Sequence, residues 1–277
     1  MTSLSIEARR GVARVTLNRP DRRNAFDEVM VRELRDAFTA LGGDRSVRGV
    51  VLAATGPVFC AGVDLGWMRP ASSVSEDQAR EDARGLIAMY RAIDECPCPV
   101  IGRIHGSAFG GGIGLIAVCD VAIASEDAAF ALSEVRLGFV PAVISPFLLR
   151  KCGESFLRRY GLTGEPFTAS VGKEYHLIHE VADGGALDKR VEELADAVRR
   201  LAPNAVREAK ALFRHVAWAD AAECWRIATD ANVRSRLSEE AREGMNAFLE
   251  KRPPAWTQAD DAPRREKDSA DDADTRT

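Results

Sequence analysis

The stretch GSAFGGGIGL (residues 106–115) sets Gly110, Gly111, Gly112 and Gly114 just ahead of an apolar run that reads as a helix. Glycine tracts lose much conformational freedom on folding, so four glycines at one helix start ask for a reason. A phosphate-cradling loop needs a lysine and a hydroxyl after the glycines, and Ile113 and Gly114 stand there instead. Gly112-Ile113-Gly114-Leu115-Ile116-Ala117 fits the dinucleotide pattern G-x-G-x-x-A. That pattern expects an acid at the end of the next strand, and Glu134 lies too far beyond VAIA (121–124) to supply it. The third reading is an oxyanion site. Side-chain-free residues at a helix start leave backbone N–H groups without intrahelical partners, and these can bind an oxygen on which negative charge develops. On the tract alone, close packing of helix against strand is the simpler account.

The elements that would hold this stretch are legible from periodicity. VARVTL (12–17) alternates and is β-branched, as a strand does. FDEVMVRELRDAFTAL (26–41) has helical spacing with Asp27 and Glu28 near its start. GVVLAAT (49–55) reads as a buried strand and GPVFCAGVDLGWM (56–68) as a loop. Residues 75–96 read as a helix capped by Ser75 and stopped by Pro97 and Pro99. VIGRI (100–104) and VAIA are strands flanking the helix that opens at 113. This alternation predicts an α/β layered core with parallel strands. Beyond Pro141 the segments FLLRKCG and SFLRRYGLTG and residues 187–201, 203–217, 220–236 and 238–250 read as helices. Residues 257–277, rich in Asp and Ala, read as a disordered tail. The division expected is a core over 1–200, a helical region over 201–256 and the tail.

With 277 residues and 46% hydrophobic content the chain can build a substantial core. A net charge of -4 argues against nucleic acid as the partner. No apolar run reaches the ~18 residues of a membrane span. The first twenty residues lack the basic-then-apolar layout of a secretory leader, so a cytoplasmic location is expected. The six cysteines are scattered and read as free thiols, and Cys96-Pro97-Cys98 lacks partners at zinc-site spacing.

Five segments occur together in one order: LNRPDRRNAF (17–26), VFCAGVDL (58–65), HGSAFGGGIGL (105–115), CDVAIAS (119–125) and FALSEVRLGFVP (130–141). In order and spacing they resemble the enoyl-CoA hydratase/isomerase, or crotonase, superfamily, over roughly residues 4–250. The resemblance implies an α/β fold, the ClpP-like crotonase spiral of ββα units, with a helical C-terminal region that builds trimers or dimers of trimers. It implies an acyl-CoA substrate, with coenzyme A part of that substrate and no separate cofactor or metal. By the same resemblance the N–H groups of Val63 and Gly111 hold the thioester oxygen, and Glu134 is the acid/base. Ala61, Val63, Asp64 and Leu65 belong to the loop that cradles the adenine of coenzyme A. Arg22 and Arg23 stand where basic residues lie near its phosphates, although surface arginines would look the same. Asp64 and Asp120 match motif aspartates that hold the fold.

One departure bears on the reaction. Two-glutamate hydratases carry a second carboxylate two residues after the glycine triplet, and here that position is Gly114. One carboxylate suffices to shuttle a proton between carbons, as an isomerase does, whereas hydration divides naturally between two. FCAGVDLGWM and SEVRLGFVPAVISPFLL nevertheless resemble the bacterial methylglutaconyl-CoA and isohexenylglutaconyl-CoA hydratase branch, in which glycine also occurs at this position. The expectation is hydration or dehydration of a branched 2-enoyl-CoA. An isomerase and a catalytically impaired acyl-CoA-binding protein are the alternatives. A second substrate carboxylate would call for a cation, with Arg69, Arg103 and Arg136 as candidates. His105 borders the glycine loop, as a structural histidine or an aid to proton transfer.

Overall fold

A computed structural model describes residues 3–68, 73–183 and 185–258. Strand β1 (Leu4–Arg9) and strand β2 (Val12–Leu17) form a hairpin turned by Arg10 and Gly11, both at positive φ. Such a pair matches the twist of a two-residue hairpin. β1 was not legible as a strand because it is a sheet edge that buries little, with Ile6 49% exposed.

Helix α1 (Glu28–Gly43) begins one turn after the loop that follows β2, and the Asp27 carboxylate accepts the Met30 N–H as its N-cap. Strand β3 (Gly49–Ala54) is buried along its whole length. Helix α2 (Glu76–Asp94) is capped by Ser75, as expected, and turns Leu86, Met89, Tyr90 and Ile93 inward at helical spacing. Strand β4 (Val100–Ile104), the short strand β5 (Ala108–Phe109) and helix α3 (Gly111–Ala117) follow in quick succession. Strands β6 (Val121–Ser125) and β7 (Ala129–Ala131) come next.

The region after Pro141 is less purely helical than its sequence suggests. Helix α4 (Ser145–Phe156) runs into a π turn at Leu157–Gly161. Strand β8 (Phe167–Thr168), helix α5 (Ala169–Glu174) and strand β9 (Glu180–Ala182) then intervene before helix α6 (Leu187–Arg199). These strands are two or three residues long, too short to carry a periodic signal. β1-β2-β3-β4-β6-β9 form one sheet, parallel except for the β1–β2 pair. β5-β7-β8 form a second, smaller sheet.

Side chains alternate across the large sheet and so divide the interior in two. Val50, Leu52, Val100, Ile104, Ala122 and Ala124 join α1, α2 and α3 in the main core. Val51, Ile101 and Ile123 face the other way, onto Leu187, Val191 and Ala195 of α6. Helices α7 (Pro203–Val216), α8 (Ala221–Leu237) and α9 (Glu239–Leu249) continue the chain. Lys210 of α7 ties them to the core by bonding Asp120 Oδ2 and the Cys98 carbonyl. Asp120 also accepts the Val100 N–H at 2.7 Å, so it holds the fold as its motif implied. These helices and the α7–α8 connection leave Phe213, Trp218, Trp225, Leu237 and Phe248 exposed. A short helix α10 (Ala255–Gln258) overlaps the start of the expected tail: Trp256 packs on Gly244, and Ala255 N–H bonds Glu243. The rest of that tail lies outside the described residues.

Candidate active site

Two segments meet at the site, and each is locked locally. In the first, Arg23 and Asn24 adopt positive φ after a 3-10 turn at Pro20–Arg22. Asn24 is fully buried and donates to the carbonyls of Thr55 and Val58 at 2.7 and 2.8 Å. Residues 23–26 then zip against 61–64: Ala61 N–H bonds the Arg23 carbonyl, Phe26 N–H that of Gly62, and Asp64 N–H that of Phe26, each at 2.9 Å. In this ladder Phe26 engages the residues on either side of Val63. The Val63 N–H therefore points off the far edge and has no acceptor among the described residues.

The glycine tract forms the second segment. Phe109 N–H bonds the Cys60 carbonyl and Gly110 N–H that of Ala131, both at 3.0 Å. Gly111 is the first residue of α3, and its N–H has no acceptor among the described residues. The two segments touch at Gly62. A Cβ there would stand 3.2 Å from the Gly111 nitrogen and 2.7 Å from the Phe109 carbonyl, and Gly62 has φ +88°. Only glycine satisfies both the backbone and the approach. Two unsatisfied N–H groups thus sit on adjoining segments, where an oxygen carrying developing negative charge could accept from both. Close packing, the simpler account of the tract, holds too: a Cβ on Gly112 would come within 2.4 Å of the Cys60 carbonyl.

Glu134 opens a 3-10 turn (Glu134–Leu137), and its carboxylate lies over Gly110, with Oε1 3.0 Å from where a Cβ would be. Its Oε2 is buried with no hydrogen-bond partner among the described residues. Burial raises its pKa above the usual carboxylate value, only partly offset by its own backbone N–H. A half-buried carboxyl with a spare oxygen, lying over the residue before the open Gly111 N–H, can accept and return a proton next to a polarised carbonyl.

The place beside Gly114 is filled. A Cβ on Gly114 would stand 2.4 Å from Ile144 Cγ2 and 2.8 Å from Tyr90 Cε1. Tyr90 and Ile144 therefore occupy the room that a second acidic side chain would need. Neither was singled out from the sequence, since Tyr90 belongs to the inward stripe of α2 and reads as core. The detectable signal was a hydroxyl on an otherwise apolar face.

The remaining candidates separate. Arg22 and Arg23 are exposed beside the 61–64 loop, as is Leu65, while Ala61 is half-buried. Asp64 is engaged in its own loop, accepting the Gly66 N–H at 2.9 Å and pairing with Arg19 at 3.3 Å. Arg103 is in register with Ile101 and so faces α6, where it grips Asp188 through two bonds of 2.5 and 2.8 Å. It is turned away from Glu134. Arg136 is exposed, packed over Gly164 on the turn that carries Glu134. Arg69 lies outside the described residues. His105 bonds the Gly56 carbonyl through Nε2 at 2.7 Å, and burial lowers its pKa. Its described bond is thus to a backbone carbonyl and not to Glu134, which favours its structural role. Among the described residues no three His, Cys, Asp or Glu side chains are grouped to hold a metal, and no helix is long and apolar enough to cross a membrane. A cavity of about 400 Å³ opens between α2, α4 and α7. Phe147 lines it, and the Tyr90 ring, tilted 48° to that of Phe147 at 5.8 Å, lies on the side of the glycine tract.

The model of the enoyl-CoA hydratase/isomerase family matches residues 7–259. The chain belongs to this family. A crystal structure of an enoyl-CoA hydratase from Shewanella pealeana superposes with a TM-score of 0.87 at 38% identity, covering 92% of this chain and 96% of that one. Pseudomonas aeruginosa AtuE gives 0.88 at 37% identity over 92% of this chain and all of its own. The enoyl-CoA hydratase EchA19 of Mycobacterium tuberculosis is 33% identical over 254 residues, 90% of this chain and 94% of its own. The fold is that of the crotonase family, as the five segments implied, and enoyl-CoA hydratase/isomerase chemistry on acyl-CoA thioesters is the activity such membership carries.

Proposed function

We propose that this member of the enoyl-CoA hydratase/isomerase family adds water to, or removes it from, a 2-enoyl-CoA thioester through a single carboxylate. The observation that carries the reading is the Glu134 carboxylate over Gly110, with an unpartnered oxygen, while the open N–H of Gly111 belongs to the next residue along and that of Val63 to the adjoining segment. The two N–H groups take the thioester oxygen. Glu134 accepts a proton from water as the water oxygen bonds C3, and the electron pair of the double bond moves onto the held carbonyl as an enolate. Glu134 then returns the proton to C2, so the enzyme ends unchanged. Each oxyanion donor contributes roughly 3–4 kcal/mol to such a step. Coenzyme A enters and leaves as part of the substrate, with no other cofactor required.

A specific observation favours a second reading, isomerisation: the filled place beside Gly114 leaves one carboxylate, which suffices to move a proton from C2 to C4. A branched, methylglutaconyl-type acyl group is the finer substrate we infer. Of the cations considered for its second carboxylate, Arg136 is the one on the turn that bears Glu134. The exposed apolar side of α7–α9 is read as the interface of a trimer or a dimer of trimers.

Crotonyl-CoA and 3-methylglutaconyl-CoA, mixed separately with the protein, test the choice. Loss of the conjugated-thioester absorbance supports hydration. A 3-enoyl-CoA that gains this absorbance supports isomerisation. Tight CoA-ester binding with neither change makes the chain a binding protein and overturns the proposal.

A further inference from the structure

α3 is seven residues long, and three of them, Gly111, Gly112 and Gly114, are poor helix formers. Its first turn therefore needs restraint from outside, and its neighbours provide it. The Tyr90 hydroxyl donates from α2 to the Gly111 carbonyl of α3 at 2.7 Å, twenty-one positions along the chain. The same hydroxyl stands 2.9 Å from where a Gly111 Cβ would be, and the Phe26 ring tip 2.7 Å. The Gly111 Cα and carbonyl are both held, and the N–H is the polar group left to face the 61–64 loop.

Tyr90 is itself fixed. It has no exposed surface, and its ring lies edge-on to Phe26 at 6.4 Å and against Phe147 at 5.8 Å. A phenylalanine would fill the same inward position of α2, and burying a hydroxyl costs free energy unless it is bonded. The bond to Gly111 offsets that cost and fixes the site's geometry. Burial first, then the nearby Cys60 and Glu134, push the tyrosine pKa well above its usual value, so the hydroxyl keeps its proton and donates at all working pH.

We propose that Tyr90 is a positioning residue: its hydroxyl, bonded to the Gly111 carbonyl, holds the first turn of α3 so that the Gly111 N–H meets the thioester oxygen. The proposal rests on the reading of Gly111 as an oxyanion donor and adds the group that aims it.

Tyr90→Phe removes the hydroxyl and little else. Cinnamoyl-CoA serves as the probe, because its conjugated carbonyl absorbs further to the red when hydrogen-bonded. Wild type is expected to shift the bound probe's absorbance to the red. Tyr90→Phe is expected to bind it within about twofold yet lose about half of the shift or more, with kcat on crotonyl-CoA down about tenfold and KM within about twofold. A full shift and unchanged kcat in Tyr90→Phe overturn the proposal while leaving the oxyanion reading intact. No shift in wild type overturns the oxyanion reading and this inference with it. Phe147→Leu loosens the ring wall but keeps the hydroxyl. It is expected to lower the unfolding temperature and retain the shift. Loss of the shift in Phe147→Leu equal to that in Tyr90→Phe would assign the effect to packing and refute the role of the hydroxyl.

Discussion

Gly114→Ala, alone and combined with Ile144→Ala, tests whether the second-carboxylate position is truly occupied. The added Cβ would lie 2.4 Å from Ile144 Cγ2 and 2.8–2.9 Å from two ring carbons of Tyr90. Carbon contacts are most favourable at about 3.5–4.0 Å, so the intrusion is roughly 1 Å. Neither neighbour yields readily. Ile144 is β-branched and 1% exposed, and Tyr90 is pinned by its hydroxyl and by Phe147. Overpacking of this kind costs about 1–3 kcal/mol, against about 1 kcal/mol gained when alanine replaces glycine in a helix. The clash wins, and Gly114→Ala should be less stable than wild type by up to about 2 kcal/mol. Ile144→Ala alone should cost about 2–5 kcal/mol, because it opens a cavity. The closest contact, with Ile144 Cγ2, then disappears, and the space left gives the Tyr90 ring room to shift by the few tenths of an ångström its own contact demands. The double variant should therefore lose at least about 1 kcal/mol less than the sum. Denaturant unfolding followed by circular dichroism measures all three. Additivity within about 0.5 kcal/mol would show that the two sites do not touch and that the place beside Gly114 is open. By the same geometry Gly114→Glu alone should not raise the hydration rate.

Glu134→Gln should reduce turnover by about 10²–10⁴-fold, as loss of an acid/base group does. It should not lower stability at neutral pH. The raised pKa means that, between the ordinary value near 4.5 and the folded value, the unfolded chain has released a proton that the folded chain retains. Stability of the wild type therefore falls as pH rises through that window, and the amide removes this penalty. Thermal melts of both proteins from pH 4 upward check the sign, and a variant less stable than wild type at pH 7 would contradict it. The wild-type rate should rise with pH on an apparent pKa above the usual glutamate range, read from a kcat/KM profile. Gly62→Ala should lower kcat by about 10²-fold or more, since its methyl would crowd the Gly111 N–H and strain a backbone at φ +88°.

The layers of the fold were legible because their signals are local. Asp27 and Ser75 cap helices where the periodic runs begin, and the apolar run of β3 is buried on both faces. β1 was hidden by its exposure, and β5, β7, β8 and β9 by their length. At the site, ordered motifs pointed to Val63, Gly111 and Glu134, but single residues could not be oriented. Arg103 has the composition of an anion ligand and the register of a residue facing α6, and register appears only once strands pair. Tyr90 and Ile144 meet Gly114 from elements far apart in sequence, a proximity that no local pattern encodes.

In the proposed reaction the Val63 and Gly111 N–H groups stabilise an enolate while Glu134 moves the proton. Deuterium exchange at C2 of a saturated acyl-CoA in D₂O reads this step without water addition or double-bond migration. Mass spectrometry should find deuterium entering the C2 position with wild type and almost none with Glu134→Gln, while both proteins bind the thioester. Exchange at equal rates in the two proteins, or none in a wild type that binds the thioester, would contradict the account.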